Sequence, residues 1–409
     1  MNILFLTLVE FDRLSEQNLY TDLLREFVNR GHFVYAISTI ERREGKCTYL
    51  SQNERNAKVL RLRIGNTQKT NMLEKGISTV TLERLFIHAI RRFTAQIRFD
   101  LVLYSTPPIT FYNAVRFVKK RDGAKTYLLL KDIFPQNALD LGMLGKTGIK
   151  GMIYRMFRQK ERMLYRISDY IGCMSPANVR YVKRHNVISK RQVIEVNPNC
   201  ICPSTNERIT EEERRRLRRR YRIPEEKIAF LYGGNLGKPQ DVAYIIRCLR
   251  ACASNPQICF VIAGAGTERH LLREYVKRER PKHVRLLPQL KRDAYERVAR
   301  CCDVGLIFLD HRFTIPNFPS RLLSYLDAGL PVLAATDRNT DIGQVIRKGA
   351  FGFWCESTGT EGFVQCVELF SDAGTRLQQG RNARKYLEQH YTAKHGYEII
   401  MRHFAESER

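Results

Sequence analysis

Apolar runs of strand length alternate with apolar stripes of helical spacing along this chain. Asn2–Leu8 is an apolar run. Asn18–Arg30 then sets Leu19, Leu23, Leu24, Phe27 and Val28 on one helical face, Gly31 stops it, and His32–Ser38 returns to a strand pattern. Strand, helix, glycine and strand in about forty residues make a βαβ unit and so a parallel sheet. The same reading expects strands at Asp100–Tyr104, Thr126–Leu130, Asp169–Met174 and Gln192–Val196, and helices at Thr81–Ile97 and Thr110–Lys120. Residues 39–81 are polar and show no clear period. His32, behind a capping glycine, reads as structural.

The pattern then restarts. Residues 203–226 look like a linker holding the charged helix EEERRRLRRRYRI, whose mixed signs predict a solvated element. Strands follow at Ile228–Tyr232, Ile258–Ala263, Val284–Leu287, Asp303–Leu309 and Val332–Ala335, with a helix at Asp241–Ala251. The expectation is an α/β protein of two doubly wound parallel-sheet domains, residues 1–202 and 203–394. A closing helix, at about 395–409, would pack back on the first.

Loops at the carboxyl ends of parallel strands are where such proteins place ligand groups. Two loops in the second half suit a phosphate. In Gly233-Gly234-Asn235-Leu236-Gly237-Lys238, glycines after a strand let backbone N–H groups come close, and Lys238 supplies charge. The spacing is not that of a P-loop. In Ile315–Asp337, Asn317 can cap a short helix, Pro319 suits its first turn, and Arg321 adds forked donors beside the helix start. An ordinary helix–strand unit with a surface arginine is the plain alternative. In the first half, Lys131 and Asp132 follow a strand directly. They are site candidates, unless Asp132 only caps its own loop.

Charge narrows the partners. The chain of 409 residues carries a net +27. Residues 1–200 alone hold 34 Lys and Arg against 17 Asp and Glu. Such a field draws anionic lipid, nucleic acid or polyphosphate ligands. Lys146–Ile167 sets Ile149, Met152, Ile153, Met156, Phe157, Met163, Leu164 and Ile167 on a helical stripe, with seven cations against Glu161 alone. It can pack its stripe on the sheet or lie in an anionic membrane interface. Interleaved aromatics that would stack bases are missing from the charged linker, which speaks against a nucleic-acid partner. The eleven cysteines lack CxxC or zinc-type spacing and read as reduced thiols. No apolar run reaches membrane-spanning length, and the opening MNILFLTLVEFD lacks a basic n-region and cleavage site.

The segments FLYGGNLGKPQDV, ICFVIAGAGTE, VRLLPQL and IPNFPSRLLSYLDAGLPVLAATD resemble the GT-B glycosyltransferases of family 4. KDIFPQNALDLGML and DYIGCMSPANVRYV are similar to acceptor-domain segments of bacterial O-antigen and capsule transferases, the L-fucosamine transferase subgroup among them. The resemblance covers nearly the whole chain. It implies two domains facing a cleft, a UDP-sugar held mostly by the second half, and transfer with retained configuration and no required metal or other cofactor. Gly233, Gly234, Asn235 and Lys238 match the diphosphate loop. Pro319, Ser320 and Arg321 match the helix start facing it, Leu290 the loop at the base, and Asp132 an acidic position near the reacting sugar. The family often carries two glutamates eight positions apart, where this chain has Pro316 and Ser324; the Ser324 hydroxyl could bond the ribose. Asp12–Glu16 stands where a glycine-rich loop usually follows the first strand.

The function expected is transfer of a sugar, of N-acetylated deoxyhexose type, from UDP to a polyprenyl-diphosphate-linked or glycan acceptor in surface-polysaccharide synthesis. The enzyme would be cytoplasmic and peripheral on the inner membrane face. A UDP-sugar epimerase of the same fold and a non-catalytic basic lipid- or nucleic-acid-binding protein are the competing classes.

Overall fold

The computed structural model describes residues 1–66, 72–205 and 209–404, with side chains from Thr81 onward in the helix that opens at Met72. The chain divides into two compact units, Met1–Cys202 with Ala393–Arg409, and Pro203–Thr392. The last five residues of the expected closing helix lie outside the described residues.

Unit 1 contains β1 (Asn2–Leu6), α1 (Leu19–Asn29), β2 (Phe33–Glu41), β3 (Tyr49–Asn53), β4 (Ala57–Ile64), α2 (Met72–Phe93), β5 (Leu101–Ser105), α3 (Tyr112–Asp122), β6 (Lys125–Leu130), α4 (Gln136–Asp140), α5 (Gly148–Ile167), β7 (Tyr170–Cys173), α6 (Pro176–His185) and β8 (Val193–Val196). Its sheet order is β3-β4-β2-β1-β5-β6-β7-β8, parallel except for the β3–β4 edge pair. Helices cover both faces, so the central strands are apolar on both; Ile3–Leu6 and Leu101–Tyr104 are fully buried. The hairpin β3–β4 falls in the stretch whose polarity hid it: an edge strand buries little and needs no apolar run. α2 ends at Phe93, short of the expected Ile97, because the Thr94 hydroxyl bonds back to Ile90 O at 2.7 Å and competes with the helix ladder.

Unit 2 contains α7 (Glu211–Arg220), β9 (Ile228–Asn235), α8 (Val242–Ala251), β10 (Ile258–Ala265), α9 (Arg269–Glu279), β11 (Val284–Leu287), α10 (Arg292–Cys301), β12 (Val304–Phe308), α11 (Arg321–Asp327), β13 (Val332–Thr336), α12 (Ile342–Gly349), β14 (Gly352–Glu356), α13 (Glu361–Leu369) and α14 (Ala373–His390). The sheet is all parallel, in the order β11-β10-β9-β12-β13-β14. Strand order reverses at β9, so the crevice expected of such sheets opens at its carboxyl end, where Gly233–Asn235 stand.

α15 (Ala393–Met401) belongs to unit 1 and packs on α1. Tyr397 there sets its hydroxyl 2.9 Å from His32 Nε2, so His32 serves as a structural residue. α7 departs from the solvated reading. Arg218 is buried; it donates to Cys301 O, Pro224 O, Glu225 O and Lys227 O at 2.8–3.0 Å and to the Asp303 carboxylate at 2.6 Å. A guanidinium with five donors can be buried where carbonyls converge, and a run of like residues gives no sign of which one that is.

Candidate functional site

The glycines at the end of β9 answer to close packing. A Cβ on Gly233 would fall 2.1 Å from the ring of Tyr295 on α10, and one on Gly264, in β10, 2.1 Å from Gly234 O. Tyr325 on α11 ties this layer together. Its hydroxyl points to Leu306 O at 2.9 Å and Leu231 O at 3.1 Å, and receives the Gly233 N–H at 3.3 Å. After Asn235 the loop folds on itself: Asn235 Nδ2 donates to Gln240 Oε1 at 2.9 Å, and Leu236 N–H to Ala265 O at 2.8 Å.

α11 begins at Arg321, so Asn317 does not cap it. Phe318 precedes a proline and is steered out of helical backbone, so Ser320 becomes the N-cap, and Asn317 N–H bonds Ile315 O in the loop before it. From this start Arg321 reaches back across the sheet end. Its guanidinium carbon lies 4.4 Å from the centre of the Tyr232 ring and 3.5 Å from where a Gly234 Cβ would stand. Its Nη1 is buried and makes no hydrogen bond among the described residues. Tyr232 is itself held, donating to Asn235 O at 2.5 Å. The two predicted loops therefore meet at Arg321 and Gly234.

Lys238 is exposed on the same loop and forms no ion pair among the described residues. Pro319 is partly buried, Ser320 and Ser324 are exposed at the start and middle of α11, and Leu290 is partly exposed in the loop after β11. In unit 1, Asp132 follows β6 and accepts Asn137 Nδ2 at 2.9 and 2.8 Å on its two oxygens. Burial pushes its carboxyl up to about 6, against the opposing pull of the Ile133 N–H and Asn137. Neighbouring Lys131 is pushed down to about 8 by burial and donates to Asn197 O at 3.2 Å.

The ring platform Tyr232, the hub Tyr325 and the wall Tyr295 escaped sequence reading. Only the four-residue spacing of Arg321 and Tyr325 on one helix face hinted at their association. Among the described residues, Asp241, Asp310 and His311 bring ligand-type atoms within 4.8 Å of one another. Both acids are already engaged: Asp310 chelates Arg312 at 2.5–3.1 Å, and Asp241 caps α8 through the Tyr244 N–H.

Residues 213–386 match the family model described as Glycosyl transferases group 1. The match falls within unit 2. Two provisionally named proteins resemble the chain more widely. The glycosyltransferase WbjE of Pseudomonas aeruginosa is 21% identical over 328 residues, 80% of this chain and 79% of that one. The colanic acid biosynthesis glycosyl transferase WcaI of Escherichia coli K12 is 22% identical over 66% and 62% of the two chains. Solved structures share the fold end to end. Sucrose-phosphate synthase of Thermosynechococcus elongatus superposes with a TM-score of 0.73 at 11% identity over 99% and 98% of the chains. Anabaena HepE in complex with UDP and glucose gives 0.68 at 14% over 99% and 100%. The fold is GT-B. Arg321, Gly234 and Lys238 all lie inside the group 1 domain match.

Proposed function

We propose that the chain is a retaining, metal-independent glycosyltransferase of surface-polysaccharide synthesis that takes a UDP-sugar. The observation that carries this reading is the Arg321 guanidinium, stacked on Tyr232 beside Gly234 with Nη1 buried and unpaired. A partly buried cation with no carboxylate beside it among the described residues is costly, and a diphosphate would supply its partner. The diphosphate is also the leaving group. Charge develops there as the glycosidic bond to it breaks, so Arg321 and Lys238 act where the transition state needs them. Gly234 and Asn235, exposed at the end of β9, would line the cradle, Leu290 would meet the base and Ser324 the ribose. Pro319 and Ser320 set the entry of α11. Solved structures of the same fold, named for complexes with UDP, UDP-glucose and UDP-2-fluoro glucose, support a nucleotide-sugar donor.

The acceptor in this reading is a polyprenyl-diphosphate-linked or glycan chain, and the sugar an N-acetylated deoxyhexose of the L-fucosamine kind. The names of the WbjE, WcaI and WaaG relatives, the last involved in lipopolysaccharide biosynthesis, support the pathway class. No helix among the described residues is long and apolar enough to cross a membrane. The enzyme would then meet a lipid-linked acceptor from the inner membrane surface. A panel of UDP-, GDP- and dTDP-sugars in a thermal-shift assay tests the donor. A shift with UDP-sugars, and sugar release from the nucleotide only when acceptor is added, is the expected result. Isomerised sugar nucleotide without acceptor would mean an epimerase, and no shift with any nucleotide would remove the reading.

A further inference from the structure

The leading half of α5 leaves apolar side chains in water. Ile149, Met152 and Met156 are 75%, 60% and 45% exposed. At 100° per residue they fall within an arc of about 60° on the helix. Met143, in the turn just before, is also exposed. Packing does not consume this arc: α5 buries Gly151, Glu161, Leu164 and Tyr165, which lie on other sides. Beside the arc, Arg155, Arg162 and Arg166 stand exposed within about 40° of one another, and Lys146 and Lys150 are exposed at the helix start. The sole acid on the helix, Glu161, is buried and held by Arg158 and by the Tyr165 hydroxyl at 2.7 Å. The arc is apolar in the middle, cationic along its border and free of exposed acid.

We infer that this arc docks the protein on an anionic lipid bilayer. The three apolar side chains enter the boundary between headgroups and acyl chains, and the arginines pair with lipid phosphates through their forked donors. Charge complementarity selects this occupant over the others. A nucleic acid would satisfy the cations but leave the apolar arc wet. A second copy meeting face to face would bring each arginine row against its own image, at a repulsive cost. A bilayer meets both halves of the pattern, with phosphates above and hydrocarbon beneath. The inference deepens the proposed function and rests on it for its purpose, delivery to a lipid-linked acceptor; the binding itself requires no transfer.

Co-sedimentation of the full chain with phosphatidylcholine vesicles, with and without phosphatidylglycerol, tests it. Binding is expected only to the anionic vesicles and should weaken with salt. The triple variant Ile149→Ser, Met152→Ser, Met156→Ser should bind about tenfold more weakly or worse. Neutralising Arg155→Gln, Arg162→Gln and Arg166→Gln should cost about fivefold for each residue. Both variants should keep the wild-type melting temperature and its nucleotide-dependent shift, since these side chains are exposed and lie outside unit 2. In a Trp354→Phe background, which removes the chain's sole tryptophan, Met152→Trp fluorescence should move to the blue on anionic vesicles alone. The inference is overturned if the serine variant binds like wild type, if duplex nucleic acid competes vesicles off, or if the wild type is a dimer that the serine variant dissolves. Vesicle binding that persists in a protein with no nucleotide-dependent shift would sink the transferase reading and leave the docking surface standing.

Discussion

The Arg321 guanidinium carbon sits 4.4 Å from the centre of the Tyr232 ring, so a residue of α11 is stacked on the last apolar side chain before the β9 glycines. The ring holds one face of the cation, and Nη1 at its edge is buried without a hydrogen bond among the described residues.

Two effects should follow from replacing it. Arg321→Met removes a partly buried charge whose Nη1 lacks a hydrogen bond, at the expense of its stacking on Tyr232, so the ligand-free protein should melt within a few degrees of the wild type. The UDP-dependent shift should vanish, a loss of about 2–4 kcal/mol in binding. Arg321→Lys should restore little of it, because an ammonium neither stacks as a plane nor forks toward two phosphate oxygens. Calorimetric titration with UDP and scanning calorimetry without it separate the two effects. Lys238→Ala, at an exposed position, should leave stability unchanged and weaken UDP in a salt-sensitive way.

A backbone prediction concerns Gly264. Its Cβ would land 2.1 Å from Gly234 O, and a carbonyl in a sheet cannot swing aside as a side chain can. Gly264→Ala should destabilise unit 2 by about 2–4 kcal/mol and displace the glycine loop, lowering UDP affinity as well. Denaturant midpoints and UDP titration read both. A variant with wild-type stability would mean that β9 and β10 are farther apart at this point than described.

Asp132 yields a prediction in pH. Its folded pKa of about 6 lies above its ordinary value of 3.8, so the native state holds the proton more tightly than the unfolded chain between those values. Stability attached to this group is therefore fully present below pH 4 and lost as pH rises through 6. The wild type should lose ground against Asp132→Asn across that window, by at most about 3 kcal/mol, since one pKa unit is worth about 1.4 kcal/mol. Urea midpoints of the two proteins at pH 4, 5, 6 and 7 give the difference curve; a flat curve would show that Asp132 is solvated.

The hydrophobic pattern by itself determined most of the architecture. Buried parallel strands must be apolar on both faces, and helices that cover them must carry a stripe, so β1, β2, β5, β9, β10 and β12 were all legible as runs. That Gly233 and Gly234 end a strand and that Arg321 stands at a helix start were legible for the same local reason, since turns and helix starts are written in short windows of residues. Partnership across the sheet was not legible. Arg321 and Tyr232 are far apart in sequence and meet because β9 and β12 are neighbours and α11 follows β12, an arrangement written in strand order and not in any window of residues. The burial of Arg218 and the exposure of Met152 were likewise decided by tertiary structure. Each residue matches its neighbours in the pattern, and only the packing of whole elements chooses which arginine meets converging carbonyls and which methionine stays in water.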